Sequence, residues 1–207
     1  MTDKVLFLDL DNTLLCTYAG PIPEDIAKNL DEEYQYILDF GTEKMFGVFR
    51  PHLRTFLKFC YEYFDKMIVY TAGTDEYGLM VADLLEKFAD VKFYKVYGRS
   101  SNLNIDSGPW RTEETYRKPL KLITEKDGFD IRKVLLVDDK FYNFRFNPRN
   151  GIHIPEFEPR TFLEYQEDTA LLQLRDWFNM DSTRYAVDFR TLNKDFIFGK
   201  YLIIDCF

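Results

Sequence analysis

The amino-acid sequence predicts an α/β protein built on a parallel sheet with helices on both faces. Two observations carry that expectation. Apolar runs of strand length alternate with stretches of helical period along most of the chain. Three of those runs stop abruptly at polar residues, Asp9, Thr71 and Asp138, as strands do when their carboxyl ends open onto a ligand site.

Residues 4–10, KVLFLDL, are nearly continuously apolar, the pattern of a strand buried on both faces. Residues 16–49 break the alternation and predict a loop, a short helix and a small β excursion, placed beside a strand end where selectivity elements sit. The stretch 51–64, PHLRTFLKFCYEYF, predicts an amphipathic helix with Pro51 in its first turn and Leu53, Phe56, Leu57, Cys60 and Phe64 inward. A second buried strand follows in 66–74, KMIVYTAGT, then a helix over 75–88 with Val81, Leu84, Leu85 and Phe88 on one face. Residues 91–98 supply a further strand, 100–116 a polar surface loop, and 117–130 a short helix closed by Gly128. The run 132–139, RKVLLVDD, is the next buried strand, and 167–178 a helix with Leu171, Leu174 and Phe178 inward. The domain is expected to span 1–180, with 181–207 an extension that packs on it or lies at an oligomer contact.

Composition excludes several classes. The 207 residues are 46% apolar, enough for a substantial core, so disorder is not expected. A net charge of -8 without clustered Lys and Arg speaks against direct nucleic-acid binding, and the 17% of aromatic residues is then assigned to core and groove. Three scattered cysteines (Cys16, Cys60, Cys206) and two histidines form neither a disulfide framework nor a zinc site. Asp9 interrupts the N-terminus too early for a signal peptide, and no apolar run reaches the roughly 20 residues of a spanning helix, so a soluble intracellular protein is expected. His52 reads as a surface or capping residue, and Trp110 and Trp177 as packing residues.

The chemistry concentrates at the strand ends. Asp9 and Asp11 stand two positions apart, so one carboxylate can serve as nucleophile or metal ligand while the other, hindered from ionising by its neighbour, moves protons. Taken singly, such a pair also suits an ordinary turn. A second acid pair, Asp138 and Asp139, crowds four carboxylates onto one sheet edge and calls for a divalent cation; oxygen-only donors favour Mg²⁺. Attack by Asp9 on a phosphate ester brings two anions together, and like charges at about 4 Å repel by about 4 kcal/mol at an effective dielectric of about 20. Lys118 can offset that repulsion, and Thr71 can donate its hydroxyl to a phosphoryl group.

The order Asp9-Leu10-Asp11-Asn12-Thr13, then Thr71, Lys118 and Asp138-Asp139, resembles the four-motif signature of the haloacid dehalogenase superfamily. The segments at 49–88, 134–157 and 167–178 resemble the phosphatases that act on the C-terminal repeat domain of RNA polymerase II, especially the small catalytic-domain type. The resemblance implies a Rossmann-like fold with no large cap domain. It further implies Asp9 as the nucleophile that becomes aspartyl phosphate, and Asp11 as general acid and then base. Thr71, Ala72, Arg99 and Lys118 would bind the substrate. Mg²⁺ would be held by Asp9, the Asp11 backbone carbonyl, and Asp138 and Asp139, the second of that pair directly. The implied partner is a phosphorylated protein, RNA polymerase II among the candidates, and the implied setting the nucleus, with the cytoplasm as the other choice. Residues 16–49 and the tail from about Asp181 depart from the family pattern, and the loop between Arg99 and Lys118 is longer. Two other readings use the same residues: a phosphatase of small molecules or nucleic-acid ends, and an inactive phosphopeptide-binding module.

Overall fold

The computed structural model describes residues 3–102 and 118–199. In chain order the main elements begin with β1 (Val5–Leu8), β2 (Leu15–Tyr18), α1 (Glu24–Asn29), β3 (Gln35–Asp39), β4 (Lys44–Phe49) and α2 (Leu53–Tyr63). They continue with β5 (Lys66–Tyr70), α3 (Asp75–Ala89), β6 (Lys95–Tyr97), α4 (Leu120–Asp127) and β7 (Val134–Asp138). The last are β8 (Gly151–His153), α5 (Phe162–Glu167), α6 (Ala170–Asn179) and α7 (Asp181–Arg184).

Five of the strands form a parallel sheet of order β6-β5-β1-β7-β8. All four residues of β1 are fully buried because alternate side chains enter two different cores. Leu6 and Leu8, with Met67, Val69, Leu135 and Val137, face a core made with α2, α3 and α6. Val5 and Phe7, with Ile68, Tyr70, Val134 and Leu136, face a second core closed by Leu120 and Ile123 of α4. Helices therefore cover both faces, as the apolar runs require. The chain winds from β1 to β5 and β6 on one side, then crosses back to β7 and β8 on the other, so the switch point lies at the centre of the sheet.

The helix over 53–63 buries Leu53, Phe56, Leu57 and Cys60, the expected stripe, but Pro51 is not in its first turn. The chain reaches the helix through His52, an exposed N-cap residue in the left-handed region at φ 66°, and the proline stands before that bend. Arg50, whose side chain is wholly buried, stands two residues before that bend. Gly128, at φ 75°, closes α4 as its position predicts. The insertion is more regular than a loop with a β excursion: β2, β4 and β3 form a three-stranded antiparallel sheet.

Three elements have no counterpart in the sequence reading: β8, α5 and α7. At three residues β8 is too short for a period to show, and it is anchored instead by Asn150, whose Nδ2 donates to the carbonyls of Ile131 and Val134 at 2.7 and 2.8 Å. Past Asp181, Phe189 and Ile197 join the main core, and Trp177 packs there as expected. Trp110, Cys206 and most of the surface loop expected over 100–116 lie outside the described residues.

Arg50 ties the scaffold to the first strand's mouth. Its guanidinium meets Asp168 in a bidentate pair at 2.9 and 2.7 Å and donates to the carbonyls of Thr13 and Pro155 at 3.0 and 2.8 Å. Every donor contact here replaces water for a buried charge, so truncation leaves both a carboxylate and two carbonyls unsatisfied. Arg50→Ala is expected to cost about 3–5 kcal/mol in chemical denaturation, with part of the loss recovered when Asp168 is also replaced. A loss well under 1 kcal/mol would contradict this account of the buried pair.

Candidate active site

The strand order sets β5, β1 and β7 side by side, so Thr71, Asp9 and Asp138 emerge at adjoining carboxyl ends. Asp9 is still in the ladder, its N–H donating to Val137 O at 3.0 Å. Beyond it the chain folds back through Asn12, left-handed at φ 57°, and this returns Thr13 over the strand end. The buried Thr13 hydroxyl donates to Asp9 Oδ2 at 2.9 Å and accepts from the Asp139 N–H at 3.1 Å. One hydroxyl thus fixes the first acid pair to the second.

Lys118 enters just before α4 and is 1% exposed. Its ammonium donates to Asp9 Oδ1 and, at 2.6 Å, to Asp138 Oδ2. Asp138 also accepts from the Lys140 N–H at 2.8 Å and from Asn143 Nδ2 at 2.9 and 2.8 Å, so both of its oxygens are occupied. Asp139 differs: its buried Oδ2 accepts no well-aligned hydrogen bond, although Lys140 Nζ stands 2.8 Å away as an ion pair. Lys140 reaches Glu156 at 2.6 Å as well, and Glu156 accepts from Asn12 Nδ2 at 3.0 Å.

Electrostatics follow from this packing. Burial pushes the Asp9 carboxyl up to about 8, with Lys118 opposing and Asp138 and Asp11 reinforcing the rise. Burial also disfavours the Lys118 cation, yet Asp138 and Asp9 outweigh it and keep the ammonium charged. Asp139 is raised by burial against the pull of Lys140. Four acids face two lysines here, and the excess negative charge has no protein counter-ion among these contacts. Asp9, Asp138 and Asp139 each offer an oxygen within 4.8 Å of one another. An all-oxygen set with uncompensated charge and an under-used Asp139 oxygen fits a hard divalent cation. Asp138, already saturated with donors, is better suited to orienting the set than to direct ligation.

Asp11 stands apart from that cluster. Its Oδ1 accepts from the Tyr77 hydroxyl and more weakly from Thr17 at 3.4 Å. Burial raises its pKa, and the Tyr77 hydrogen bond restrains the rise. Thr71 is buried, and its hydroxyl oxygen accepts the Gly73 N–H at 2.9 Å, which leaves the hydroxyl proton to point elsewhere. Ala72 is half-buried with its carbonyl taken by Arg99 Nε at 2.9 Å, and Arg99 itself is exposed at the same edge.

The structure therefore gathers Asp9, Lys118, Asp138 and Asp139 into one cluster, sets Asp11 and Thr71 at its border, and leaves Arg99 outside it. Sequence reasoning missed Asn143, Lys140, Tyr77 and the latch made by Thr13. Thr13 had a signal, as the fifth position of the first motif. Tyr77 had none, because an aromatic within a helical apolar pattern reads as core.

A model of the NLI interacting factor-like phosphatase family matches residues 4–190. The putative CTD phosphatase-like protein 355R of Invertebrate iridescent virus 3 is 30% identical over 83% of this chain and 93% of its own length. The CTD nuclear envelope phosphatase 1 homolog of Drosophila melanogaster is 27% identical over 91% of this chain and 71% of its own. Among solved structures, fission yeast RNA polymerase II CTD phosphatase Fcp1 bound to beryllium fluoride shares the fold with a TM-score of 0.53 at 20% identity, over 84% of this chain. A second structure of Fcp1 gives 0.54 at 22% identity over 88% of this chain. The chain spans about half the length of those two solved chains, 49% and 51%.

Since the folded state holds Asp9 protonated at pH values where the unfolded chain is ionised, metal-free protein should lose stability as pH rises from the carboxylate range towards 8. Asp9→Asn removes that decline. In chelator at pH 8 the variant should melt a few degrees above the parent, about 1 kcal/mol, and the gap should close near pH 5. Parallel pH profiles for the two proteins would refute the charge excess.

Proposed function

Because the chain belongs to the NLI interacting factor-like phosphatase family, we propose that it is a Mg²⁺-dependent protein-serine/threonine phosphatase working through an aspartyl-phosphate intermediate. The observation that carries this reading is the separate treatment of two aspartates only two residues apart. Asp9 is gripped by Lys118 and Thr13, while the Asp11 carboxylate turns to Tyr77 and Thr17. A nucleophile must be charged when the proton donor is neutral, and unlike surroundings are what allow two carboxyls to differ.

In the proposed reaction an Asp9 carboxylate oxygen attacks phosphorus, the ester P–O bond breaks, and Asp11 gives its proton to the departing alkoxide. Asp11, now charged, takes a proton from the water that attacks the phosphoryl group, releasing inorganic phosphate and restoring Asp9. Lys118 offsets the charge brought together at Asp9, and the Thr71 hydroxyl proton is available to a phosphoryl oxygen. Asp9, Asp139 and the Asp11 backbone carbonyl would hold Mg²⁺, with Asp138 orienting them. Once bound, the ion supplies the positive charge that keeps Asp9 ionised and counters the phosphate dianion.

An extended phosphoprotein segment is the substrate class we assign. A groove of about 950 Å³, lined by Asp139, Phe141, His153 and Lys194 among others, opens beside the site and supports that assignment. Ala72 and Arg99 would border the phosphoresidue on the opposite side. Similarity to the CTD phosphatases makes RNA polymerase II repeats the candidate substrate and the nucleus the candidate setting. No helix among the described residues is long and apolar enough to cross a membrane.

Asp9→Asn should abolish turnover of para-nitrophenyl phosphate while the protein remains folded by circular dichroism; retained turnover would sink the mechanism. Beryllium fluoride with Mg²⁺ should raise the melting temperature of the parent and leave the variant unmoved. Relative rates on phosphoserine peptides, 5′-phosphorylated oligonucleotides and sugar phosphates separate the substrate classes, with the peptides expected fastest by about tenfold or more.

A further inference from the structure

The contact between Tyr77 and Asp11 continues into the β insertion. Thr17 Oγ1, on β2, lies 2.7 Å from the Tyr36 hydroxyl of β3 and 3.1 Å from the Tyr77 hydroxyl of α3. We propose that Tyr77, Thr17 and Tyr36 form a hydroxyl relay that positions Asp11 for proton transfer, making the insertion part of the acid-base apparatus. The inference rests on the phosphatase reading above.

Hydrogen-bond accounting supports it. Tyr36 can donate to Thr17, and Tyr77 to Asp11 Oδ1; the one Thr17 proton has two acceptors, the Tyr77 oxygen at 3.1 Å and Asp11 Oδ1 at 3.4 Å, and given to the nearer it makes all three hydroxyls point towards the carboxylate. Such a chain polarises along its length and strengthens its last bond. With Oδ1 held in this way, the proton in transit is confined to Oδ2. Both phenols are kept protonated, and hence able to donate, because burial lifts their pKa values well above the usual range.

The backbone has been cleared for these two rings. At Gly47 a Cβ would stand 2.3 Å from the Tyr36 hydroxyl oxygen and 2.4 Å from Cys16 O; at Gly73 it would stand 2.6 Å from Tyr77 Cδ1. Neither glycine has a positive φ, so close approach, not turn geometry, explains both. Tyr36 is 4% exposed and also packs on Phe49, which fixes the outer end of the relay. A merely structural cluster would have no reason to end on the carboxylate beside the candidate nucleophile.

Leaving-group dependence distinguishes positioning from packing. Phenolate needs a proton as it departs, whereas para-nitrophenolate departs well without one. In Tyr77→Phe, kcat/KM on phenyl phosphate should fall about tenfold more than on para-nitrophenyl phosphate. Thr17→Val should shift that ratio in the same direction by less, and it carries the test should Tyr77→Phe prove unstable in thermal melting. Equal losses on the two substrates would overturn the relay while leaving the phosphatase reading intact. Turnover that survives in Asp9→Asn would instead overturn that reading and the relay with it.

Discussion

The site is organised around one buried ammonium. Lys118 places a full positive charge between Asp9 and Asp138 where water cannot reach, and a buried cation persists only when it is paired and hydrogen-bonded. Without it, two carboxylates would face each other in a low-dielectric pocket, at a cost of several kcal/mol even with an effective dielectric of about 20. With it, the cluster is still short of positive charge, because Asp11 and Asp139 add two more acids and Lys140 only one base. That deficit is the physical reason for reading a metal into the site. It also makes the site costly to the fold, as sites designed for charge transfer commonly are.

Several distant parts of the chain exist to hold this arrangement still. The parallel sheet brings three strand ends together, but pairing alone would leave the aspartates free to splay. Thr13 locks the first acid pair to the second, and Arg50 secures the Thr13 carbonyl through a buried bidentate pair with Asp168 in the segment between α5 and α6. Asn143 completes Asp138 from the turn after β7. Catalytic geometry of this type tolerates little misplacement, so side chains far from the chemistry share in its control.

How much of this could be read from the sequence depends on the kind of signal involved. Both buried faces of β1 were visible as an unbroken apolar run, and the positions of Asp9, Thr71 and Asp138 followed from where the runs end. Lys118 was visible only through its place in a recurring order of motifs; as an isolated lysine before a proline it carries no information. The short β8 and α5 were not legible because three to six residues do not establish a period. Pro51 misled because a proline near a helix start usually sits inside it, whereas here a left-handed N-cap residue, His52, stands between the proline and the helix. Tyr77 and Tyr36 were hidden for a deeper reason: their function lies in a hydroxyl at the end of a ring that any pattern assigns to the core.

The insertion changes character in this light. Residues 16–49 have the sequence position of a substrate-selecting excursion, yet their strands deliver Thr17 and Tyr36 to the back of Asp11. Selectivity and proton transfer would then be coupled through one small sheet, so that divergence of its outer surface is limited by the need to keep its inner hydroxyls in place. The proposed role of Asp9, held by Lys118, is to accept the phosphoryl group. Its most direct test is acid quenching of the Mg²⁺-loaded protein during turnover of a radiolabelled phosphopeptide, followed by peptide mapping. The account predicts a phosphoryl label stable to acid, released by hydroxylamine and confined to the peptide containing Asp9; label elsewhere, or turnover with no covalent label in a rapid-quench time course, would contradict it.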